Sequence, residues 1–194
     1  MVKIVFALLG AYLLGSVSGA IVAARLFHDV DIRKFGSGNA GLTNTLRTLG
    51  PGTAAAVLAI DAAKTVLALW LGQYLAGEIG LLCAAVGAAL GHAFPLYYRF
   101  KGGKCVLSTA MICAFFDWRA LLLLAVLFVW VVFLSRKVSV GSLTVAVLLP
   151  FVLWALGAGQ GRVVVGGLLT LMIVILHRGN IRRLVKGEEP PTTF

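Results

Sequence analysis

Charge is scarce in this chain. Asp, Glu, Lys and Arg make up 12% of its 194 residues, about half the roughly 25% of an ordinary soluble domain. A soluble protein of this length needs polar residues over its whole exterior. With 60% of residues apolar and a mean hydropathy of +1.00, that exterior is lacking, and the bilayer is the solvent. Acidic residues are scarcest: 7 stand against 17 Lys and Arg, for a net charge of +10. In a soluble chain that balance suggests nucleic acid. In a membrane chain cytoplasmic loops collect Lys and Arg and anionic headgroups attract them, so no nucleic-acid partner is implied. The three cysteines, Cys83, Cys105 and Cys113, have no C-x-x-C spacing and lie in or beside apolar segments. They indicate neither a zinc site nor a disulfide framework and read as free thiols. The seven carboxylates show no paired cluster suited to a metal. No convincing cleavage site follows the first apolar stretch, Ile4 to Leu26, so it reads as a retained helix rather than a signal peptide.

Long apolar runs are what the chain has. Crossing the hydrocarbon core takes about 20 residues, and seven candidates emerge: 4 to 24, 52 to 72, 78 to 96, 105 to 117, 118 to 135, 138 to 157 and 163 to 176. The expected fold is an all-α integral membrane protein, a single transmembrane domain over 1–194 built as a bundle of about seven helices. The fourth segment is short, about 18 Å as a helix, and either crosses or re-enters. Charge arbitrates. With seven crossings and the N-terminus outside, thirteen Lys and Arg fall on the inner side, and only Lys3, Arg119 and Arg162 lie outside. If the fourth segment does not cross, the split becomes nine to seven. The positive-inside rule favours seven. The polar regions 25–50, 97–104 and 177–194 then share the cytoplasmic face.

The first of these regions holds Gly36-Ser37-Gly38-Asn39-Ala40-Gly41-Leu42-Thr43-Asn44-Thr45-Leu46-Arg47. Glycines let successive backbone N–H groups turn toward one anion; the plainer reading is a flexible surface turn. If Asn39 begins a helix, Asn39, Thr43, Asn44 and Arg47 can line one face. The second holds Phe100-Lys101-Gly102-Gly103-Lys104 after Gly91-His92-Ala93-Phe94-Pro95. Glycine before a helix start, with Lys beside it, suits phosphate, although a positively charged helix boundary explains the pattern as well. The third holds His177-Arg178-Gly179-Asn180-Ile181-Arg182-Arg183-Leu184, then Lys186-Gly187-Glu188-Glu189. His177 is a proton acceptor near neutral pH in a region otherwise readable as a basic stop. Within the spans, Asp61 and Lys64 share a helix face at i and i+3, as a functional group or as a bracing pair. Ser139 and Ser142 start the sixth span on its inner side.

Together these regions resemble the three signatures of the acyl-phosphate-dependent glycerol-3-phosphate acyltransferases of bacterial membranes, the PlsY family. G-S-G-N-x-G-A-T-N-x-x-R matches Gly36 to Arg47 with Leu42 in place of Ala. G-H-x-x-P then F-K-G-G-K-G-V-A-T matches Gly91 to Pro95 and Phe100 to Lys104, and departs at Cys105, Leu107 and Ser108. H-R-x-N-I-x-R-L-x-x-G-x-E matches His177 to Glu189.

The resemblance implies transfer of a fatty acyl group from acyl phosphate to the 1-hydroxyl of sn-glycerol 3-phosphate, giving lysophosphatidic acid and phosphate for phospholipid biosynthesis. It implies a multi-pass protein of the bacterial inner membrane, most simply a monomer, with no cofactor, and with acyl phosphate, glycerol 3-phosphate and membrane lipid as partners. His177, Ser37, Asn180, Lys104 and Arg47 become the catalytic candidates. Gly36, Gly38, Asn39, Thr43, Asn44, Gly102, Gly103, Ser142, Arg178 and Glu189 become the substrate-binding candidates. The H-x-x-x-x-D motif of the common acyltransferases is absent, since Arg33, Tyr97 and Arg182 stand five residues after His28, His92 and His177. A small transporter for phosphorylated anions is the rival. It calls for midplane polar groups in repeated halves, and no internal repeat is visible.

Overall fold

The computed structural model describes residues 1–192. The chain is an all-α membrane protein whose helices fall on all seven candidate segments. Four helical stretches among the described residues are long and apolar enough to cross a membrane, and the pair Gln160–Leu176 and Arg178–Val185, bent by 59°, makes a fifth. Two compact units divide the chain, Met1–Ile112 and Cys113–Phe194.

In the first unit the expected span 4 to 24 is two helices, α1 (Val2–Gly15) and α2 (Gly19–His28). The break has a cause remote in sequence. Ser18 caps α2 by accepting from the Ile21 N–H, but the neighbouring backbone groups are satisfied from another helix. The Gly19 N–H donates to Asp61 Oδ1 at 3.0 Å, and Lys64 Nζ donates to the Val17 carbonyl. Asp61 and Lys64, both buried, pair at 2.8 Å. Backbone left open in hydrocarbon costs several kcal/mol per group, so the ion pair permits the break; the two intramembrane charges thereby brace the bundle.

Next comes α3 (Leu42–Ala93), whose 52 residues would run about 78 Å if straight. It is not straight. Gly50 (φ 83) separates a first segment carrying Thr43, Asn44 and Arg47 from a second that begins at Pro51, whose fixed φ and missing N–H suit a helix start. At Ala76 and Gly77 (φ 58) the chain reverses. A Cβ on Gly72 would strike the Gly80 carbonyl and the Ala84 methyl, so the two arms lie against each other with almost nothing between them. α1 packs on both arms: a Cβ on Gly10 would touch Leu71, and Cβ atoms on Gly87 and Gly91 would meet the α1 backbone at Leu8 and Tyr12. Membrane helices lack a hydrophobic drive to associate, and small residues substitute close backbone approach. Buried Ala11, Ala68, Ala84 and Ala88 form the matching core.

Eleven-residue α4 (Val106–Phe116) leads from the first unit into the second. There Asp117 caps α5 (Trp118–Ser135) by accepting from the Arg119 N–H, and Arg162 donates to the Phe116 carbonyl at the end of α4. α6 (Val138–Ala155) packs between α5 and α7 (Gln160–Leu176). Gly141 admits Val132 and Phe128 of α5, while the Thr170 hydroxyl donates to the Ala146 carbonyl and joins α7 to α6. The chain bends at His177 into α8 (Arg178–Val185).

Candidate functional site

The first polar loop is organised from within. Asn44, on the first turn of α3, is buried, and its amide NH2 donates to the carbonyls of Ile32 (3.4 Å), Phe35 (3.0 Å) and Asn39 (3.1 Å). Its Oδ1 accepts from the Ser37 N–H at 2.9 Å. One side chain therefore shapes residues 32 to 39. The helix starts at Leu42 with Gly41 as N-cap, not at Asn39, so the expected common face divides. Thr43 and Arg47 are exposed and share a face at i and i+4, Asn44 turns inward to the loop, and Asn39 precedes the helix. Gly36 (φ 56) and Gly38 (φ 72) hold left-handed backbone, and Ser37 between them is exposed.

Asp31 and Arg33 anchor the same loop. The Arg33 guanidinium grips Asp31, with Nη2 to Oδ2 at 2.7 Å, and reaches the Tyr98 carbonyl of the second loop at 2.9 Å. Hydrogen bonding from Arg33 holds the Asp31 carboxyl down at about 2.

The second loop folds back along the end of α3. The Gly102 N–H donates to the Ala93 carbonyl (3.2 Å) and the Gly103 N–H to the His92 carbonyl (3.1 Å), satisfying acceptors that the helix terminus leaves open. Space is tight here. A Cβ on Gly102 would strike the His92 carbonyl, and one on Gly103 would strike the His92 ring and the Ala40 carbonyl. Gly103 is thus seated directly against the first loop. The same turn carries Arg99 and Phe100 in left-handed backbone, each with φ 58, and then Cys105 with φ 64. Cys105 stands where the resembled signature has glycine. It is fully buried, and its thiol lies 3.1 Å from the Ala89 carbonyl. Lys104, beside it, is half-buried.

Where the two loops meet, Arg33, Gly38, Arg99, Lys101 and Gly102 line an open cleft of about 330 Å³. Three of the five are cationic and suit an anion. Lys101 lies inside the second glycine motif, while Arg33 and Arg99 lie just outside the motifs, and their closeness to them in sequence is the signal that marks them for the site.

In the second unit His177 is buried at the bend between α7 and α8, and its Nδ1 donates to the Ile173 carbonyl at 2.8 Å. That bond assigns the proton to Nδ1 in a neutral ring and leaves the acceptor role to Nε2. Asn180 is buried one turn on, and its amide donates to Glu189 Oε1 at 2.6 Å. Gly187 (φ 73) turns the tail back so that Glu189 is buried, its Oε2 accepting from Arg183 at 2.7 Å. Burial pushes the Glu189 carboxyl up, but the polar neighbours Asn180, Ser139 and Arg183 outweigh it and hold the group below its ordinary range. Ser139 and Ser142 are buried on the first turns of α6, whereas Arg178 is exposed. Among the described residues no group of three or more His, Cys, Asp or Glu is placed to hold a metal ion.

Comparison with known proteins agrees over nearly the whole chain. The family profile "Glycerol-3-phosphate acyltransferase" matches residues 5–187. A glycerol-3-phosphate acyltransferase of Syntrophomonas wolfei is 41% identical over 182 residues, covering 94% of this chain and 93% of the relative. One from Methylobacillus flagellatus is 41% identical over 184 residues, covering 93% of each. The crystal structure of PlsY, an integral membrane glycerol 3-phosphate acyltransferase, in its glycerol 3-phosphate form superposes with a TM-score of 0.92 at 29% identity, covering 98% of this chain and 96% of that one. Its lysophosphatidic acid form gives 0.89 at 27% identity, covering 97% and 94%.

Proposed function

This chain belongs to the glycerol-3-phosphate acyltransferase family, and from that premise we propose that it moves a fatty acyl group from acyl phosphate to the 1-hydroxyl of sn-glycerol 3-phosphate, releasing lysophosphatidic acid and phosphate. The observation that carries the donor assignment is the seating of one glycine-and-lysine loop against another glycine-rich loop, Gly103 on the Ala40 carbonyl, beside a cleft with three cations. Both proposed substrates bring a phosphate, and a cleft between the loops lined by Arg33, Arg99 and Lys101 suits phosphate by charge. Acyl phosphate is already an activated mixed anhydride. The protein then has to position the reactants, neutralise charge and assist one proton transfer.

Lys104 neutralises the acyl phosphate as a point charge, while Arg47, exposed on the first turns of α3, grips a phosphate through two oxygens. Gly36 and Gly38 set the turn of the first loop, and Gly102 and Gly103 let the second loop pack closely beside it, so both loops border the anions. Asn39, Thr43, Ser142 and Arg178 supply substrate contacts, and Asn44 acts through the loop it shapes. Ser37, Asn180 and His177 orient the reactants, with Glu189 holding the Asn180 amide. The hydroxyl proton passes to an oxygen of the departing phosphate. Positive charge at Arg178, Arg182 and Arg183 disfavours the imidazolium that a general-base His177 would have to become. The protein works as a monomer in the bacterial inner membrane, its N-terminus outside and its reacting groups and C-terminus on the cytoplasmic side.

Purified protein supplied with palmitoyl phosphate and glycerol 3-phosphate should form lysophosphatidic acid and inorganic phosphate in equal amounts. Transfer from an acyl-CoA thioester with none from palmitoyl phosphate would overturn the donor assignment.

A further inference from the structure

The Asp61–Lys64 pair does more than close the break between α1 and α2. Lys64 has three N–H donors, and each has an acceptor: Asp61 Oδ1 at 2.8 Å, the Val17 carbonyl, and His92 Nδ1 at 3.0 Å. An ammonium can only donate, so His92 Nδ1 accepts and the ring proton sits on Nε2. That Nε2 edge is where a Cβ on Gly103 would land, so the ring lies against the glycine turn of the second loop. The His92 carbonyl also receives the Gly103 N–H. The helix break joins the same loop directly, since Ser16 Oγ accepts from the Leu96 N–H at 3.2 Å and the Tyr12 hydroxyl donates to the Phe94 carbonyl at 2.9 Å. All three charged or ring-bearing groups are buried, with side-chain exposures of 2 to 6%.

A turn of two glycines has no side chain with which to fix itself. Its place is set by what it rests on, and here it rests on an imidazole whose orientation is locked by a saturated ammonium. We propose that Asp61, Lys64 and His92 are positioning residues, a membrane-embedded seat that holds the Gly102–Gly103 turn and, through it, Lys104 against the donor phosphate. This rests on the assignment of Lys104 to acyl phosphate made above. It adds that affinity for the donor is set partly by three residues that never touch it.

The test is steady-state kinetics of the purified full-length protein in both substrates. His92→Leu removes the acceptor for Lys64, and His92→Asn restores it, its side-chain oxygen standing where Nδ1 stood. The double change Asp61→Asn with Lys64→Met abolishes the seat without leaving an unpaired buried charge. We expect His92→Leu and the double variant to raise the KM for palmitoyl phosphate about tenfold or more while that for glycerol 3-phosphate stays within about twofold, since small misplacements of a positioned group weaken its action by such factors. His92→Asn keeps the acceptor for Lys64 but lacks the Nε2 edge on which Gly103 rests, so it should recover only part of the loss. Tryptophan-fluorescence unfolding run alongside separates seating from folding. The proposal is overturned if both KM values stay at wild type, if the change falls on glycerol 3-phosphate alone, if both rise while the unfolding midpoint falls, or if His92→Asn behaves like His92→Leu. A wild-type protein inactive with palmitoyl phosphate would instead sink the donor assignment.

Discussion

Cys105 offers a quantitative test of the backbone at the start of α4. Its φ of 64 lies in the left-handed region, and its side chain is fully buried with the thiol against the Ala89 carbonyl. Holding a residue with a Cβ there costs roughly 1–2 kcal/mol. At an ordinary buried position, Cys→Gly would fall below Cys→Ala by about 0.8 kcal/mol for the lost methyl. The extra freedom of glycine in the unfolded chain adds about 0.5–1 kcal/mol. At this position the relieved backbone returns about as much as those two losses together. Cys105→Gly and Cys105→Ala should therefore be equally stable to within about 0.5 kcal/mol, which is roughly 2 °C in midpoint for a chain of this size. Cys105→Val should be the worst of the three although it is the nearest to cysteine in apolar volume, because a branched side chain in this region is a true outlier.

Tryptophan-fluorescence unfolding of the three purified variants measures the order, with four Trp as reporters. Phosphate release measures the consequence for Lys104, and Cys105→Gly should keep it, since the backbone it needs is unchanged. A glycine variant less stable than the alanine variant by more than about 1.5 kcal/mol, the ordinary-position difference, would refute the left-handed assignment. A valine variant as stable as wild type would refute it independently.

Lys104→Ala and Arg47→Ala should each lower kcat/KM by about a hundredfold or more, the usual scale for removing a charge-stabilising donor. Arg47 is exposed, so its loss should leave the unfolding midpoint in place; near-normal rates at low substrate in both variants would refute the anion assignment. His177→Gln should keep the acidic limb of the pH–rate profile and lose less than about a hundredfold; a larger loss together with disappearance of the limb would make His177 the general base. Glu189 does not confuse that readout. Its carboxyl is held below its ordinary value of 4.5, so its grip on Asn180 is complete at neutral pH and is lost only as the pH falls below that value. Cysteine probes near Gln160 should react with an impermeant reagent from outside, while probes near Gly38, Gly103 or Asn180 should not; outside labelling at any of those three would refute the shared cytoplasmic face.

The helical segments were legible because apolar length reports directly on the bilayer, and the Gly50-Pro51 entry into the second span carries its own signal in the two residue types. The break at Ser16 to Ser18 was not legible. Two serines in an apolar window read as tolerated small polar residues, and what licenses the break are side chains 42 and 47 positions away, Asp61 to Gly19 and Lys64 to Val17. The start of the first-loop helix was missed by three residues for a related reason. Asn39 looks like a cap, but its carbonyl is engaged by Asn44, and Gly41 takes the N-cap position.

At the motifs, residue type was readable and direction was not. Thr43, Asn44 and Arg47 stand within one turn of each other, yet one supports the loop from beneath while the other two face outward. Glycine hides the same distinction. Gly36 and Gly38 carry positive φ, and there the residue serves the left-handed backbone of a turn that bonds back on Phe35 and Asn44. Gly102 and Gly103 have no such torsion. They are glycine because a Cβ would strike His92, Ala93, Pro95 or Ala40, so in the second loop the residue serves proximity. A count of glycines argues equally for a nest in both loops, whereas the Ser37 and Gly38 N–H groups are spent on Asn44 and Phe35 and the Gly102 and Gly103 N–H groups on Ala93 and His92, so the geometry gives a self-bonded turn in the first loop and a seat in the second. It is the seat that ties Lys104 to groups buried in the membrane rather than to its own loop.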